Sequence, residues 1–499
     1  MKTTIKILAL VLALVMLLPL VLACDKGGDA ATGENGENAG NQQQGGSAGD
    51  VVVNPDGTVT SALPSMDWGG ETFDILGRDG GTYVMFHNFE IWRESMPGDV
   101  VGDAVYTRNE TLKKKYNFEV TEQLVSNTYT EIQTLYDAQD DIYDLVIYKP
   151  INVQAHASSG YLLDLNELPY INFNHPSWNT HTNEQLTIAG RLFYTSSDFL
   201  LQDKSRTFCM FYNRELARAN GLGYLEDHVE NNTWTLETVN SIVHDFAVEL
   251  DGIAGHSPLD GFGVATTGSS SFAAFCYGAG FRLSTNEDGY PTLVEPSTFE
   301  LEIIDAVGKF AFDSNVWFDP GSPQYKGNSD STLFSDGNTL LYSVFPSVLE
   351  SALNEKCTFE FGSIPYPKKD STQERYLTQI NVENGSLFAI PYTVADPAMV
   401  SFFLQAITEE STDTTYTAFI DTKCKVQDVY DELSAEMLDL TLQNVAYDVV
   451  AICGYGGLWD VIANLVPEFG TNIYKRLWDS KYQTAEDQIE ALIANYEAM

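Results

Sequence analysis

Positive charge is scarce in this chain: its 499 residues carry 27 Lys and Arg against 70 Asp and Glu, a formal net charge of −43. Affinity for a phosphate backbone comes from Lys and Arg releasing counterions, so nucleic-acid binding is excluded as a function class. Cysteine is scarce too. The six residues at 24, 209, 276, 357, 424 and 453 include no CxxC pair, which excludes a disulfide framework and a zinc ribbon. Catalytic signatures are also missing. No strand-to-helix GxSxG nucleophile elbow occurs, and the seven histidines form no HExxH pair, with five residues between His175 and His181. Gly263 to Gly268 is spaced like a phosphate loop, but Ser269 stands where that loop needs its lysine. The 70 acids guarantee some close carboxylate pairs by chance, so such pairs do not point to a hydrolase. What is present is apolar material for large cores. With 44% hydrophobic and 12% aromatic residues the chain is not disordered, and its length exceeds what one core normally fills, roughly 250 to 300 residues.

The N-terminus has its own logic. Lys2 and Lys6 precede an apolar run from Ile7 to Ala23 that ends at Cys24. The charged start and short apolar stretch read as a signal peptide over residues 1–23, because Pro19 interrupts a run already marginal for crossing about 30 Å of hydrocarbon. Val21-Leu22-Ala23-Cys24 resembles the bacterial lipobox, in which the cysteine is lipidated and becomes the new N-terminus. An ordinary cleaved signal and an uncleaved anchor are the alternatives. Loss of two lysines and no acids would leave 25 − 70, or −45. A surface that negative stands off from anionic lipid unless held covalently. The linker assigned to residues 24–62 begins with a stretch, Asp25 to Asp50, that is rich in Gly, Asn and Gln and has no aromatic or branched aliphatic residue. As a coil of about 26 residues it spans on the order of 28 Å, a tether between lipid and a soluble body.

Beyond the linker, strand-like and helix-like segments alternate, which indicates α/β architecture. Strands are expected at Thr72–Leu76, Phe118–Gln123, Tyr143–Tyr148, Gly190–Tyr194, Thr207–Tyr212, Phe262–Ala265, Thr339–Val344, Thr358–Pro365 and Ser386–Ile390. Helices are expected at Asp103–Tyr116, Tyr129–Ala138, Arg214–Asn220, Thr235 to about Glu249, Phe272–Gly278 and Ser297–Phe312, and through most of the last 75 residues. Thr235 reads as a helix cap with Thr238 where a capping box wants Glu or Gln. Asn286-Glu287-Asp288-Gly289 reads as a hairpin turn.

Several segments, in order, carry a family resemblance: AVYTRNETLKKKYNFEV (104 to 120), YDLVIY with GYLLDLNELPYINFNHPSW (143 to 178), GRLFYTSSD (190 to 198), FYNRELARANGL (211 to 222), TWTLETV (233 to 239), DGFGVA (260 to 265), LFAIPYTVADP (387 to 397) and SAEMLDL (434 to 440). Across residues 66 to 460 the chain resembles the solute-binding lipoproteins of bacterial ABC importers, in the maltose-binding-protein-like, sugar-binding family. That resemblance implies a periplasmic-binding-protein-like fold: two α/β lobes joined by a hinge, with the ligand cleft between them. Lobe 1 would comprise 66–199 and 376–424, and lobe 2 would comprise 200–375 and 425–499. It also implies a monomer on the outer face of the cytoplasmic membrane that captures a solute, a carbohydrate, and hands it to permease subunits, without cofactor or catalysis. A surface lipoprotein that binds or degrades glycans without a transporter is the alternative.

Ligands in open α/β sheets collect at the carboxyl ends of strands. This points to Arg78 and Asp79 after the first strand, Tyr148 and Lys149 after YDLVIY, and Asp198 at the expected hinge. On the other lobe it points to Thr266 and Thr267, Phe345 and Tyr366. The resemblance puts ring-stacking aromatics at Tyr148 and Phe345, and another at Trp459 in a late Gly-rich segment. Sugars offer CH faces to rings and hydroxyls to carboxylates and amides, so this mixture suits them. Each residue has an ordinary alternative: packing between lobes for Tyr148 and Phe345, a solvated turn for Arg78 and Asp79, a core cap for Trp459. Trp68, Trp178 and Trp234 are assigned to the core. The segment Asp251 to Asp260 stands where similar proteins often carry a calcium loop, but Ile, Ala and His replace alternate oxygen ligands, so no metal is expected. The cysteines other than Cys24 read as small buried apolar residues, with Cys424 or Cys453 the candidates for pairing.

Overall fold

The computed structural model describes residues 52–53, 59–61, 63–81, 87–268, 270–349, 353, 356–423, 425–426, 429–465 and 470–499. The signal peptide, Cys24, most of the linker, Ser269 and Cys424 lie outside the described residues. No described helix is long and apolar enough to cross a membrane.

Nine strands build two sheets: β1 (Glu71–Arg78), β2 (Phe118–Val125), β3 (Leu145–Tyr148), β4 (Cys209–Asn213), β5 (Phe262–Thr266), β6 (Trp317–Phe318), β7 (Thr339–Val344), β8 (Phe361–Ile364) and β9 (Leu387–Ala389). The first sheet has the order β9-β3-β1-β2 and the second β6-β5-β7-β4-β8. β1 pairs parallel with both β2 and β3, and β5 pairs parallel with both β6 and β7. The antiparallel members are β9 and β4. These are the strands the chain enters after changing sheets, and the pattern has a simple cause. A chain that crosses from one sheet's carboxyl edge meets the other sheet at its carboxyl edge too, and must run backwards along it. The residues between Tyr194 and Phe208 and between Thr378 and Ser386 therefore form two neighbouring crossings. This is the periplasmic-binding-protein-like fold of two α/β lobes.

The helices used below are α1 (Val100–Tyr116), α2 (Thr128–Ala138), α3 (Pro150–Ser158), α4 (Leu201–Arg206), α5 (Ser270–Gly278), α6 (Thr298–Ala311), α7 (Pro397–Ser411), α8 (Leu458–Ala463) and α9 (Gly470–Ala498). Local chemistry sets their ends. The Asp99 carboxylate accepts from the Gly102 amide at 2.7 Å, so α1 starts three residues before the expected Asp103. A complete capping box forms between Ser297 and Glu300 at α6, while Thr235 caps its helix through the Thr238 amide alone. That second helix stops at Val243 instead of running to about Glu249, because the Asp260 carboxylate takes the Leu250 and Asp251 amides and draws the chain away. The expected strand at 190–194 does not form a ladder. The Leu192 amide goes to the Asp164 side chain at 3.0 Å and its carbonyl to the Leu165 amide, so both groups serve a loop. The hairpin at Asn286–Gly289 is present, between strands Ser284–Glu287 and Tyr290–Leu293.

Cores form as expected of the framework tryptophans. Trp234 and Trp178 are buried and hydrogen-bonded through their indole N–H groups to the Pro365 carbonyl and the Gln405 side chain, and Trp68 packs on Phe402 and Phe403. Cys209, Cys276 and Cys357 are buried thiols, and Cys453 is half-buried. The C-terminal segment packs on both lobes. Residues 432–442 lie on β8, whereas residues 449–453 lie on α3. The 29-residue α9, about 43 Å long at 1.5 Å per residue, sets Tyr474 against Phe281 and Tyr496 against Phe193.

Candidate functional site

The two crossings form a neck in which charge is buried and balanced. All six residues of α4 are buried. One Asp203 carboxylate oxygen accepts from the Ser196 and Tyr447 hydroxyls, with the Lys204 ammonium 3.6 Å away. Asp198 lies in this neck, accepting from the Thr412 hydroxyl at 2.8 Å; burial raises its pKa to about 6, with Lys204 opposing the rise.

The return crossing makes a tight turn over residues 381–385. The Asn381 side-chain oxygen accepts from the Glu383 and Asn384 amides, and the Gly385 amide donates to the Asn381 carbonyl at 2.7 Å. A Cβ on Gly385 would lie 2.6 Å from that carbonyl oxygen, so only glycine allows the approach. Arg78, the last residue of β1, clamps this turn from beneath. One guanidinium nitrogen donates to the Ser386 hydroxyl at 2.6 Å and to the Asn384 carbonyl at 3.3 Å. Arg78 is only 5% exposed, and burial lowers its pKa to about 10 against the support of Glu90 and Asp203.

Above that turn opens a cleft of about 410 Å³. One wall is aromatic: Phe208, Phe345 and Trp459, with Phe208 and Phe345 packed together at 4.7 Å between ring centroids. The floor is the polar turn, Asn381, Glu383 and Asn384, and the remaining edge carries Thr267, Ser270, Asp460 and Asn464. Trp459 reaches the cleft on α8, which follows Gly456 and Gly457, both with positive φ. A Cβ on Gly456 would lie 2.8 Å from that of Ala485, so the glycine also lets α8 approach α9 closely.

The structure distributes the sequence-selected residues unevenly. Phe345, Trp459 and Thr267 line the cleft. Arg78 lies behind the floor and shapes it without lining it. Lys149 is exposed at the start of α3, next to Ile151, whose amide donates to the carbonyl of the cleft residue Val382. Asp79 is half-buried with the His87 Nε2 2.7 Å from its carboxylate, and it is not among the cleft-lining residues. Tyr148, Tyr366 and Thr266 are placed in the lobe cores, each with no exposure. The Tyr148 hydroxyl meets His156 Nδ1 at 2.9 Å, and burial takes that imidazole down to about 4, so it stays neutral. The Tyr366 hydroxyl bonds Ser343 and the Cys209 carbonyl, and its Cβ sits so close to Gly278 that no larger residue fits there. Thr266 donates to the Phe318 carbonyl. A fully enclosed ring has no face to offer a solute.

Sequence reasoning missed Phe208, Ser270, Asn381, Glu383, Asn384, Asp460 and Asn464. The turn did carry a signal: Asn384-Gly385 between two apolar runs marks a tight reversal.

Two other hollows lack the cleft's character. A groove of about 590 Å³ lies within one lobe, edged by Glu237, Asp305 and the ion pair of Lys369 with Glu302. The nook around Tyr136, Tyr143 and Tyr161 is too tight for a water molecule. Among the described residues, Glu249, Asp251 and Asp260 bring three carboxylates close together. Asp260 spends its oxygens on the Leu250, Asp251 and Ser257 amides, which hold its pKa near 2, so the group works as a loop clasp.

No known family model matches the chain, and no curated protein matches it. Solved structures do. UspC of M. tuberculosis aligns with a TM-score of 0.52 at 14% identity, over 83% of this chain and 99% of that one. A cyclo/maltodextrin-binding protein complexed with maltotetraose gives 0.54 at 14%, over 84% and 97%. RafE from Streptococcus pneumoniae gives 0.51 at 14%, over 86% and 97%. At such identity the likeness shows a common fold.

Proposed function

We propose that the protein is an extracytoplasmic receptor, tethered through lipidated Cys24, that captures a carbohydrate in the cleft and delivers it to the permease of an ABC importer. The observation that carries this reading is the cleft itself: an aromatic wall of Phe208, Phe345 and Trp459 facing a floor of amides and a carboxylate, beside the two crossings. Rings cover the CH faces of a sugar, while Asn381, Asn384 and Glu383 hydrogen-bond its hydroxyls. Crossings of this kind are where one lobe rotates against the other, so a bound solute favours a closed form that a permease can distinguish from the empty one. The fold shared with a maltodextrin-binding protein supports the reading, as does the apolar leader ending at Cys24. The receptor acts as a monomer and performs no chemistry on its solute.

A melting-shift screen against sugars and oligopeptides tests this. A rise in Tm with a sugar and none with peptides is the expected result. Shifts with peptides alone overturn the carbohydrate assignment, and cleavage of an oligosaccharide would move the protein to the glycan-degrading alternative.

A further inference from the structure

The charges around the cleft are one-sided. Glu383 from the crossing turn and Asp460 from α8 both line the hollow and are both exposed, while among the described residues no lining side chain is Lys or Arg. Lys149 stands exposed at the start of α3 but is not among the lining residues, and the other cations nearby are engaged elsewhere. Arg78 is buried behind the floor with its donors on Asn384 and Ser386, and it faces Glu90 and Asp203. Arg206 is buried too, and the loss of water, with the like charge of Arg78 adding to it, lowers its pKa to about 10. The Lys481 ammonium, on α9 behind α8, donates to the Gly456 carbonyl. A solute in the cleft therefore meets two carboxylates without a cation among the side chains that line it. It also meets the half-buried ring of Phe345, backed by the largely covered Phe208 and Trp459, and an aromatic face attracts positive charge.

Resting on the carbohydrate reading above, we infer that the solute carries an amino group: the cleft takes an amino sugar, or a short oligomer of one, in preference to its neutral counterpart, and it excludes uronic acids and sugar phosphates. A neutral hydroxyl satisfies a carboxylate as a hydrogen-bond donor. An ammonium group does so too, with three donors, and adds the attraction of opposite charges in a partly dry site. An anionic sugar has to approach Glu383 and Asp460 against repulsion, without a lining cation to hold it.

The test is calorimetric titration of the protein at about pH 6, where a sugar amine is protonated. The probes are α- and β-linked mono- to tetrasaccharides, each as the neutral, amino and uronic form. The expected result is an amino form that binds about tenfold tighter than its neutral match at low salt, with a gap that narrows as salt rises. No uronic form should bind measurably. Glu383→Gln and Asp460→Asn should each cut the amino-to-neutral ratio about threefold. Equal losses for both forms in both variants would give the carboxylates no charge-selective role and overturn the inference, as would tighter binding of neutral or uronic forms. That last result leaves the carbohydrate reading standing, whereas failure of every sugar to bind removes the reading and the inference together.

Discussion

Tyr148 and Phe345 occupy matching places in the two lobes, each at the carboxyl end of a central strand, yet they end in opposite environments. Tyr148 is the last residue of β3, buried on every side, and its hydroxyl is held by His156 from the next helix. Phe345 comes one residue after β7, beyond the ladder that holds Val344, and its ring packs on Phe208 at the cleft. A single residue of register separates the two outcomes. Inside a strand buried on both faces, both side-chain directions lead into protein; one step past it, the chain is free to turn its side chain to the opening. The same contrast separates Tyr366, fixed against α5 at Gly278, from Trp459, delivered to the cleft on a short helix of its own. The lobe that holds Phe345 thus lends aromatic surface, and the crossings lend polar groups.

Four substitutions test that contrast. The largest effect is expected from Trp459→Ala, which removes a cleft wall and should weaken sugar binding about 100-fold, roughly 3 kcal/mol, in a titration scaled to the folded fraction. Asp198→Asn probes the neck between the two regions. Its folded pKa of about 6 lies above the ordinary 3.8, so the folded protein holds this proton more tightly than the unfolded chain. The wild type therefore loses stability as pH rises from about 4 to 6, and the asparagine variant escapes that loss. Chemical denaturation should find the two alike at pH 4 and the variant ahead by about 2 kcal/mol at pH 7. Phe345→Ala should weaken binding about tenfold, about 1.4 kcal/mol, and leave a smaller aromatic wall. Tyr148→Phe should cost about 1 kcal/mol of stability through the lost bond to His156 while affinity stays within twofold. A tenfold loss of affinity in this last variant would erase the distinction between the two strand ends.

Much of the architecture was legible because it rests on short-range patterns. Apolar runs such as Leu145–Tyr148 and Thr339–Val344 fold as central strands, and Asn286–Gly289 turns a hairpin. The strand-end rule also found the region of the site, along with Phe345 and Thr267 on its rim. It did not distinguish a residue that ends a strand from one that leaves it, which is why Tyr148 reads the same as Phe345 in one dimension. The floor was less legible still. Asn381, Glu383 and Asn384 acquire their role from a crossing whose Asn384 and Ser386 lie 306 and 308 residues beyond Arg78, the side chain that clamps it, and no local pattern links them. Arg78 itself was selected for solute contact and instead supports the turn that lines the cleft.

The proposed receptor binds a sugar in this cleft and releases it unchanged. Titration of the wild-type protein and Trp459→Ala with a sugar that raises Tm, followed by chemical analysis of the recovered sugar, tests it most directly. Saturable one-to-one binding to the wild type, its near loss in the variant and an intact sugar are the predicted result. Equal binding by both proteins, or a cleaved sugar, would contradict it.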